Sequence, residues 1–196
     1  DIIQSDRPNE SIFLFRKPMG VVVGICPWNF PLFVMARKVA PSLLTGSTIV
    51  VKPSSVAPAT NMAFAELAAA MDLPAGVLNM VTGSGSGLGE MLVRSDITAM
   101  VSLTGSVEAG QRVIAGTAGN VAKVSLELGG KAPAIVCADA DLELAVKCIV
   151  ASRVIFSGQV CNCAERVYVD AKIADEFTYM LVKAMKAVRC GDPMAA

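Results

Sequence analysis

The sequence alternates short β-branched runs with longer segments of helical spacing, and this alternation restricts the fold more than any other feature. The runs "VVVGIC" and "STIVVKP" are typical of strands, whereas "PLFVMARKVAPSLLTG" and "ADEFTYMLVKAMKAVRC" have the apolar spacing of helices. Strands separated by helices usually pair in parallel, with helices covering both faces of the sheet. The apolar run Ile49-Val50-Val51 is typical of a strand buried on both faces. The sequence therefore predicts an α/β fold with a parallel sheet between helices.

A pair of glycines, Gly129 and Gly130, marks the one candidate domain boundary. Before this pair the pattern is strictly strand then helix, and after it a new strand and a long apolar helix begin. We therefore predict one unit over residues 1–128 and the start of a second α/β unit over residues 129–196.

Charge and hydropathy argue against two classes of partner. The 196 residues include 17 basic and 17 acidic side chains, and no basic block stands out, so a nucleic-acid surface has no support. The longest uncharged apolar region, residues 18–36, contains Pro18, Pro27 and Pro31, which a membrane-spanning helix tolerates poorly. The polar opening of the chain does not resemble a signal peptide. We predict no nucleic-acid and no membrane partner.

Cysteine and histidine usage restricts the chemistry. Six cysteines in a chain of this length do not form a disulfide scaffold, and a reducing, cytoplasmic setting fits best. Histidine is absent, which excludes Ser-His and Cys-His catalysis within these residues and removes most zinc sites.

The stretch "FSGQVCNCAER" holds Cys161 and Cys163 one residue apart. Two thiols supply half of a zinc site, and a disulfide across one intervening residue would be strained, so we expect no metal here. Two ordinary core thiols or one nucleophile remain as interpretations. Without histidine, a nucleophilic thiol needs a helix terminus, a cation or a carboxylate base to activate it.

Two polar residues in unusual settings could supply such chemistry. Glu127 lies in the apolar strand "LELGG", where a carboxylate is costly unless it is paired, exposed or functional. A strand-end glutamate facing solvent is the alternative. Asn29 lies between two prolines in "CPWNFP", which stiffen the loop and could aim its amide at an oxyanion. A turn with aromatic residues packed into the core is the simpler interpretation.

Two strand-to-helix junctions could contact phosphate groups. The stretch "TGSGSGLGE", residues 82–90, lies where a phosphate-binding turn belongs, but its glycines fit neither a G-x-G-x-x-G nor a P-loop pattern. A flexible turn is favoured there. In "LTGS", Ser106 is a natural N-cap for the following helix, and capping alone accounts for it.

Five motifs in this order, "PWNFP", "VKPS", "LTGS", "LELGGKAP" and "GQVCNCAER", together resemble the aldehyde dehydrogenase family. The resemblance runs from about Phe13 to the final "GDP" and is nearest to members that oxidise lactaldehyde and glycolaldehyde. It implies a Rossmann-like cofactor domain without the usual glycine fingerprint, followed by the first part of a catalytic domain.

The resemblance assigns catalytic roles to four residues. Cys161, three residues after Gly158, would be the nucleophile that forms a thioester, and Glu127 would activate the water that releases the acid. Asn29, with the backbone N–H of Cys161, would hold the oxyanion. Lys38 matches a lysine near the active site of the family.

The resemblance also implies an NAD or NADP cofactor, bound by five residues of this chain. Lys52 would bind the cofactor ribose and Ser106 the pyrophosphate, with Trp28 and Gly105 nearby. Many NAD-preferring relatives carry a glutamate where this chain has Ser55. A glutamate repels a 2′-phosphate and a serine can bind one, so we expect this protein to accept NADP.

Arg37 resembles an arginine of relatives that oxidise hydroxyaldehydes and semialdehydes, and it could meet a hydroxyl or carboxylate of a small aldehyde. A surface arginine in an ion pair is an equal alternative. Within the enzyme class the second candidate is succinate-semialdehyde dehydrogenase.

Family members are much longer than 196 residues. We expect this chain to be a fragment that is inactive alone, and the full-length enzyme to be a homodimer or homotetramer. The opening "DIIQSDRPNESIFLFRKP" resembles part of the strands that make the family's oligomer contacts.

Overall fold

The computed structural model describes residues 2–192 and 194–195, and the chain divides into two compact units, Asp1–Leu128 and Gly129–Ala196. The first unit is built on a sheet of five parallel strands, and the second contains a pair of parallel strands with two helices.

The first unit begins with a two-stranded antiparallel hairpin, β1 (Ile2–Gln4) and β2 (Ser11–Phe13). The five strands of its sheet follow: β3 (Val21–Ile25), β4 (Thr48–Lys52), β5 (Leu78–Met80), β6 (Thr98–Thr104) and β7 (Lys123–Glu127). Their order across the sheet is β5-β4-β3-β6-β7, and every neighbouring pair is parallel.

Four helices connect these strands: α1 (Pro31–Leu44), α2 (Ala59–Ala69), α3 (Glu90–Arg94) and α4 (Val107–Thr117). Proline occupies the first position of α1, where a missing N–H costs nothing, and Gly46 follows the helix with a φ of +80°. Ser106 caps α4 by accepting a hydrogen bond from the N–H of Ala109, which confirms the predicted cap.

Helices cover both faces of the sheet. Neighbouring residues of a strand point to opposite faces, so each strand contributes side chains to the packing on both sides. Val22 of β3 packs in one apolar cluster with Met35 of α1 and Ile49 of β4. Its neighbour Val23 packs in the other cluster with Val113 of α4. These two clusters confirm the predicted parallel α/β fold.

The second unit contains β8 (Pro133–Val136), α5 (Leu142–Val154), β9 (Arg166–Val169) and α6 (Ala174–Lys186). The strands β8 and β9 pair in parallel, and α5 makes the crossover between them. Asp141 caps α5 by accepting from the N–H of Leu144. Phe177 of α6 is only 1% exposed and anchors the core of this unit.

Two features of the strands depart from the sequence prediction. The segment "SIFLFRKP" has the β-branched and aromatic pattern of a longer strand, but among the described residues only Ser11–Phe13 pair with β1. Strand β9 was missing from the prediction, since its four residues are half-exposed or exposed and resemble a loop after the cysteine motif.

In the described part of the chain, no helix combines the length and the apolar character needed to cross a bilayer.

Close packing of α4 against α3 generates a prediction for Gly116→Ala. A β-carbon at Gly116 would lie 2.7 Å from Cγ1 of Val93, a buried and stiff side chain. Overpacking of this kind costs about 1–3 kcal/mol and outweighs the gain of about 1 kcal/mol in helix propensity. We expect a lower free energy of unfolding in urea.

Gly119→Ala is the matched control, because nothing lies within 4 Å of its added β-carbon. Equal stability of the two variants would contradict the close approach of α3 and α4.

Candidate active site

The site residues of the first unit collect at one edge of the sheet, because parallel strands all end on the same side. Lys52 ends β4 beside Ile25 of β3, and Glu127 ends β7 beside Thr104 of β6. The segments that leave this edge carry Trp28 and Asn29 after β3, and Gly105 and Ser106 after β6.

The ammonium group of Lys38 is buried at this edge. The residue is 6% exposed, and its Nζ donates to Oγ of Ser102 at 2.9 Å and to Oγ1 of Thr104 at 3.0 Å. Burial lowers the pKa of Lys38, while the charges of Cys26 and Glu127 oppose that shift and Arg37 adds to it. Thr104, which accepts from Lys38, is paired with Glu127 across β6 and β7, so Lys38 and this carboxylate lie at the same edge.

A thiol lies beside this lysine at the end of β3. Cys26 is 4% exposed, and burial raises its pKa to about 11, against the opposing charges of Lys38 and Lys52. The thiol is therefore protonated and unreactive near neutral pH. Lys52 is also buried, which lowers its pKa, and its Nζ donates to the carbonyl of Pro53 at 3.1 Å.

The loop that carries Asn29 is fixed by aromatic and amide contacts. Asn29 is half-buried, Trp28 is exposed, and the ring of Phe30 meets that of Phe33 edge-on at 6.5 Å between centroids. The loop ends at Pro31, whose carbonyl accepts a hydrogen bond of 3.1 Å from Nδ2 of the fully buried Asn61. The amide of Asn61 thus ties α2 to the start of α1.

Two other predicted residues of the first unit are exposed. The guanidinium of Arg37 lies 5.7 Å from the centre of the Phe33 ring, a cation–π contact. Glu127 has an exposed side chain, and its carbonyl accepts from the N–H of Gly105 at 3.0 Å. That bond joins the end of β7 to the "LTGS" junction.

A cavity of about 310 Å³ lies between the glycine-rich turn and α4. The turn is a π-helical segment, Gly85–Gly89, and Oγ of Ser84 caps it by accepting from the N–H of Gly87. Ser106 also lines the cavity. Gly89 lies beside the side chain of Lys52, whose Cδ would be in ordinary contact with an added β-carbon at 3.7 Å. This volume is at the lower end of the range for small-molecule sites.

The remaining predicted cofactor residues lie around this edge without lining that cavity. Trp28, Lys52, Ser55 and Gly105 are not among the residues that form its walls, and Ser55 is exposed. The structure therefore places one of the five predicted cofactor residues, Ser106, in the cavity wall.

Cys161 lies in the second unit, in the loop between α5 and β9. Its side chain is exposed, whereas its neighbour Cys163 is 3% exposed and packs inside. The loop begins after Phe156, Ser157 and Gly158, which have φ values of 47°, 56° and 76°. A β-carbon at Gly130 would lie 3.8 Å from the carbonyl oxygen of Cys161, so Gly130 borders this loop.

No cluster of three or more histidine, cysteine or acidic side chains suited to a metal ion occurs among residues 2–192 and 194–195.

Several residues that support the site escaped the sequence analysis. Ser102 and Thr104 alternate with buried Val101 and Leu103 near the end of β6, so polar residues on one face of an apolar strand were a usable signal. Asn61 gave no such signal, because an asparagine in an alanine-rich helix resembles a surface residue.

Comparison with known proteins shows the family. Residues 1–196 match the aldehyde dehydrogenase family. The chain is 59% identical to lactaldehyde dehydrogenase of Escherichia coli over 98% of its own length, and a crystal structure of that enzyme superposes with a TM-score of 0.95 over the same share. The chain belongs to the aldehyde dehydrogenase family, and the Rossmann-like fold is confirmed.

Two further relatives differ in their named activities. The chain is 44% identical to a mitochondrial succinate-semialdehyde dehydrogenase of Arabidopsis thaliana, over 98% of this chain and 36% of that protein. It is 40% identical to a D-glyceraldehyde dehydrogenase (NADP(+)) of Picrophilus torridus, over 98% of this chain and 39% of that protein. The chain also spans only 40% of the Escherichia coli enzyme and of its crystal structure.

The difference in burial between the cysteines predicts their order of alkylation. At about pH 8 iodoacetamide should modify Cys161 in the folded protein and leave Cys26 intact, because that thiol is buried and its pKa is raised to about 11. Raising the pH toward that value increases the thiolate fraction of Cys26, so its modification should increase with pH. Peptide mass spectrometry measures both.

Unfolding in urea at the same pH is the control, since it should make Cys26 as reactive as the other thiols. Rapid modification of Cys26 in the folded protein would contradict its burial.

Proposed function

We propose that this chain is part of an NAD(P)-dependent enzyme that oxidises a small hydroxylated aldehyde, of the lactaldehyde or glycolaldehyde type, to the carboxylic acid. The observation that carries the proposal is the exposed thiol of Cys161 in the motif "GQVC", beside a cysteine that is buried. A nucleophile must reach its substrate, and of these two thiols Cys161 is the accessible one.

Cys161 acts as the nucleophile toward the aldehyde carbonyl. The tetrahedral oxyanion that forms is held by the amide of Asn29, on a loop stiffened by two prolines, together with the backbone N–H of Cys161. Loss of a hydride, for which the cofactor would be the acceptor when bound, would convert this adduct into a thioester on Cys161.

Glu127 acts as the general base that takes a proton from the water attacking the thioester. Its exposed position at the end of β7 leaves it accessible to water and substrate. Lys38 contributes positive charge near this carboxylate, and its two hydroxyl partners on β6 hold the ammonium in place.

A nicotinamide dinucleotide would bind along this edge of the sheet, where one of its proposed contacts, Ser106, lines the cavity. When bound, this cofactor supplies the hydride acceptor. Ser106 at the N-terminus of α4 is placed to meet a pyrophosphate oxygen, since the first turn of a helix offers free N–H groups. Lys52 would bind the ribose, and Trp28 and Gly105 would border the cofactor at the same edge.

Acceptance of NADP is proposed from Ser55, which is exposed and follows Lys52 by three residues. A serine hydroxyl can donate to a 2′-phosphate, whereas a carboxylate at this position would repel it. The relative from Picrophilus torridus, which carries NADP(+) in its name, supports this proposal.

The proposed substrate class rests on the 59% identity to a lactaldehyde dehydrogenase. Succinate-semialdehyde dehydrogenase is the second candidate, because the chain is 44% identical to a relative of that name. A contact between the guanidinium of Arg37 and a substrate carboxylate would favour this second candidate. In the structure, however, the guanidinium of Arg37 contacts the ring of Phe33.

We propose that the full-length enzyme is a cytoplasmic homodimer or homotetramer and that the 196-residue segment alone is inactive. Exposed apolar residues on the β1–β2 hairpin support an oligomer, among them Ile2, Ile12 and Phe13. The relatives span more than twice this length, which supports inactivity of the segment.

Two substitutions in the full-length protein test the mechanism. Cys161→Ser should abolish aldehyde oxidation, because a hydroxyl is a far poorer nucleophile than a thiolate. Glu127→Gln should lower kcat by about 10²–10⁴-fold, the usual contribution of a general base. Steady-state assays with lactaldehyde, glycolaldehyde and succinic semialdehyde measure both effects and identify the preferred aldehyde.

Matched controls are Cys148→Ser on α5 and Glu66→Gln on α2, which change exposed side chains of the same types. Wild-type turnover in the Cys161→Ser variant would overturn the proposed mechanism.

The cofactor proposal is tested by Ser55→Glu. The new carboxylate should raise KM for NADP about tenfold or more through charge repulsion and leave KM for NAD within about twofold. Assays of both cofactors with both proteins measure this, and no turnover of NADP by the wild-type enzyme would contradict it.

A further inference from the structure

The last turn of α5 contacts the loop that carries Cys161 on both sides of this cysteine. On the C-terminal side, Oγ of Ser152 accepts a hydrogen bond of 3.0 Å from the N–H of Ala164. The next residue, Arg153, places Nη1 at 3.1 Å from Sγ of Cys163 and 3.4 Å from Oε1 of Glu165.

The same guanidinium fills the space beside Gly158, on the N-terminal side of Cys161. A β-carbon at Gly158 would lie 2.5 Å from Nη2 and 3.0 Å from Cζ of Arg153. Glycine also suits the left-handed backbone there, with its φ of +76°. Arg153 therefore contacts residues before and after the reactive cysteine.

Cys163 joins the two sides. Its thiol accepts from Arg153 and donates to the carbonyl of Gly158 at 3.4 Å, so one buried sulfur connects the arginine to the start of the loop. This role goes beyond that of an ordinary core thiol.

We propose that Arg153 is a positioning residue that holds the loop 158–164, and with it the thiol of Cys161, in the geometry needed for attack, with Cys163 as the link. The proposal rests on the proposed role of Cys161 as the nucleophile. A shift of about 1 Å in a reacting group can cost on the order of 10²-fold in rate, so a loop without this support should react more slowly.

The shape of the guanidinium carries this role, more than its charge. Arg153 and Glu165 are each about one-third exposed, with side-chain exposures of 36% and 34%, so solvent weakens their attraction. The planar fork, however, reaches the sulfur, the carboxylate and the glycine at once, which a lysine ammonium on a flexible stem does only in part.

Steady-state kinetics of Arg153→Met and Arg153→Lys in the full-length enzyme test the proposal. We expect Arg153→Met to lower kcat by about 10- to 100-fold with KM for aldehyde and cofactor within about twofold, because substrate sites remain while the nucleophile is misplaced. Arg153→Lys should recover part of the lost kcat.

The matched control is Arg166→Met, which also removes an arginine of this unit. Arg166 bonds the carbonyl of Lys131 and the hydroxyl of Tyr168, and the structure gives it no hydrogen bond to residues 158–164. We expect its kcat to stay within about twofold of the wild type.

Cys163→Ala is a second test of the same contacts, with Arg153 left in place. This variant should lower kcat less than Arg153→Met does. The double variant should have a kcat within about twofold of that of Arg153→Met alone, because the two substitutions remove the same set of contacts. If circular dichroism shows that Arg153→Met does not fold, the fall in kcat of Cys163→Ala decides the question.

If Arg153→Met folds and its kcat is unchanged, the positioning role is overturned. If Arg153→Met does not fold, an unchanged kcat in Cys163→Ala overturns it. Fully additive losses in the double variant would also overturn it. Activity that survives Cys161→Ser would instead overturn the proposed function, so the two failures are distinguishable.

Discussion

Parallel pairing of the five strands is the constraint on which the first unit depends. Each strand must return through a helix, so both faces are covered and all five carboxyl ends meet at one edge. That geometry brings Lys52, Thr104 and Glu127 to the same edge of the sheet although they are far apart in sequence. The cavity that Ser106 lines and the loop that carries Asn29 lie in the connections that leave this edge.

Burial of cations at that edge has a cost that polar partners offset. The ammonium of Lys38 is removed from water, which lowers its pKa, and two hydroxyls of β6 replace part of its hydration. In the second unit, an arginine near the end of α5 holds the Cys161 loop in a similar way, through sulfur, carboxylate and backbone contacts. Each unit thus holds a cation through several polar partners close in the chain or in the sheet to a residue proposed to react.

The fold class was predictable because strand and helix periods differ and the apolar runs are long. Ser106 was predictable as a cap from residue type alone, and the structure confirms it. The lining of the cavity was not predictable, since it depends on how close α3 and α4 approach. The contacts of Arg153 were hidden for a related reason: they depend on three left-handed residues at the end of α5, and Phe156 and Ser157 are not residue types that signal such a turn.

The most direct test of the account is to trap the acyl group on the full-length Glu127→Gln enzyme. Without its base the thioester should persist, so mixing with cofactor and aldehyde should add the mass of the acyl group to the peptide that contains Cys161. Peptide mass spectrometry after rapid quenching measures this, and omission of the cofactor should abolish the adduct. An acyl group on a different cysteine, or continued turnover with no adduct at Cys161, would contradict the account.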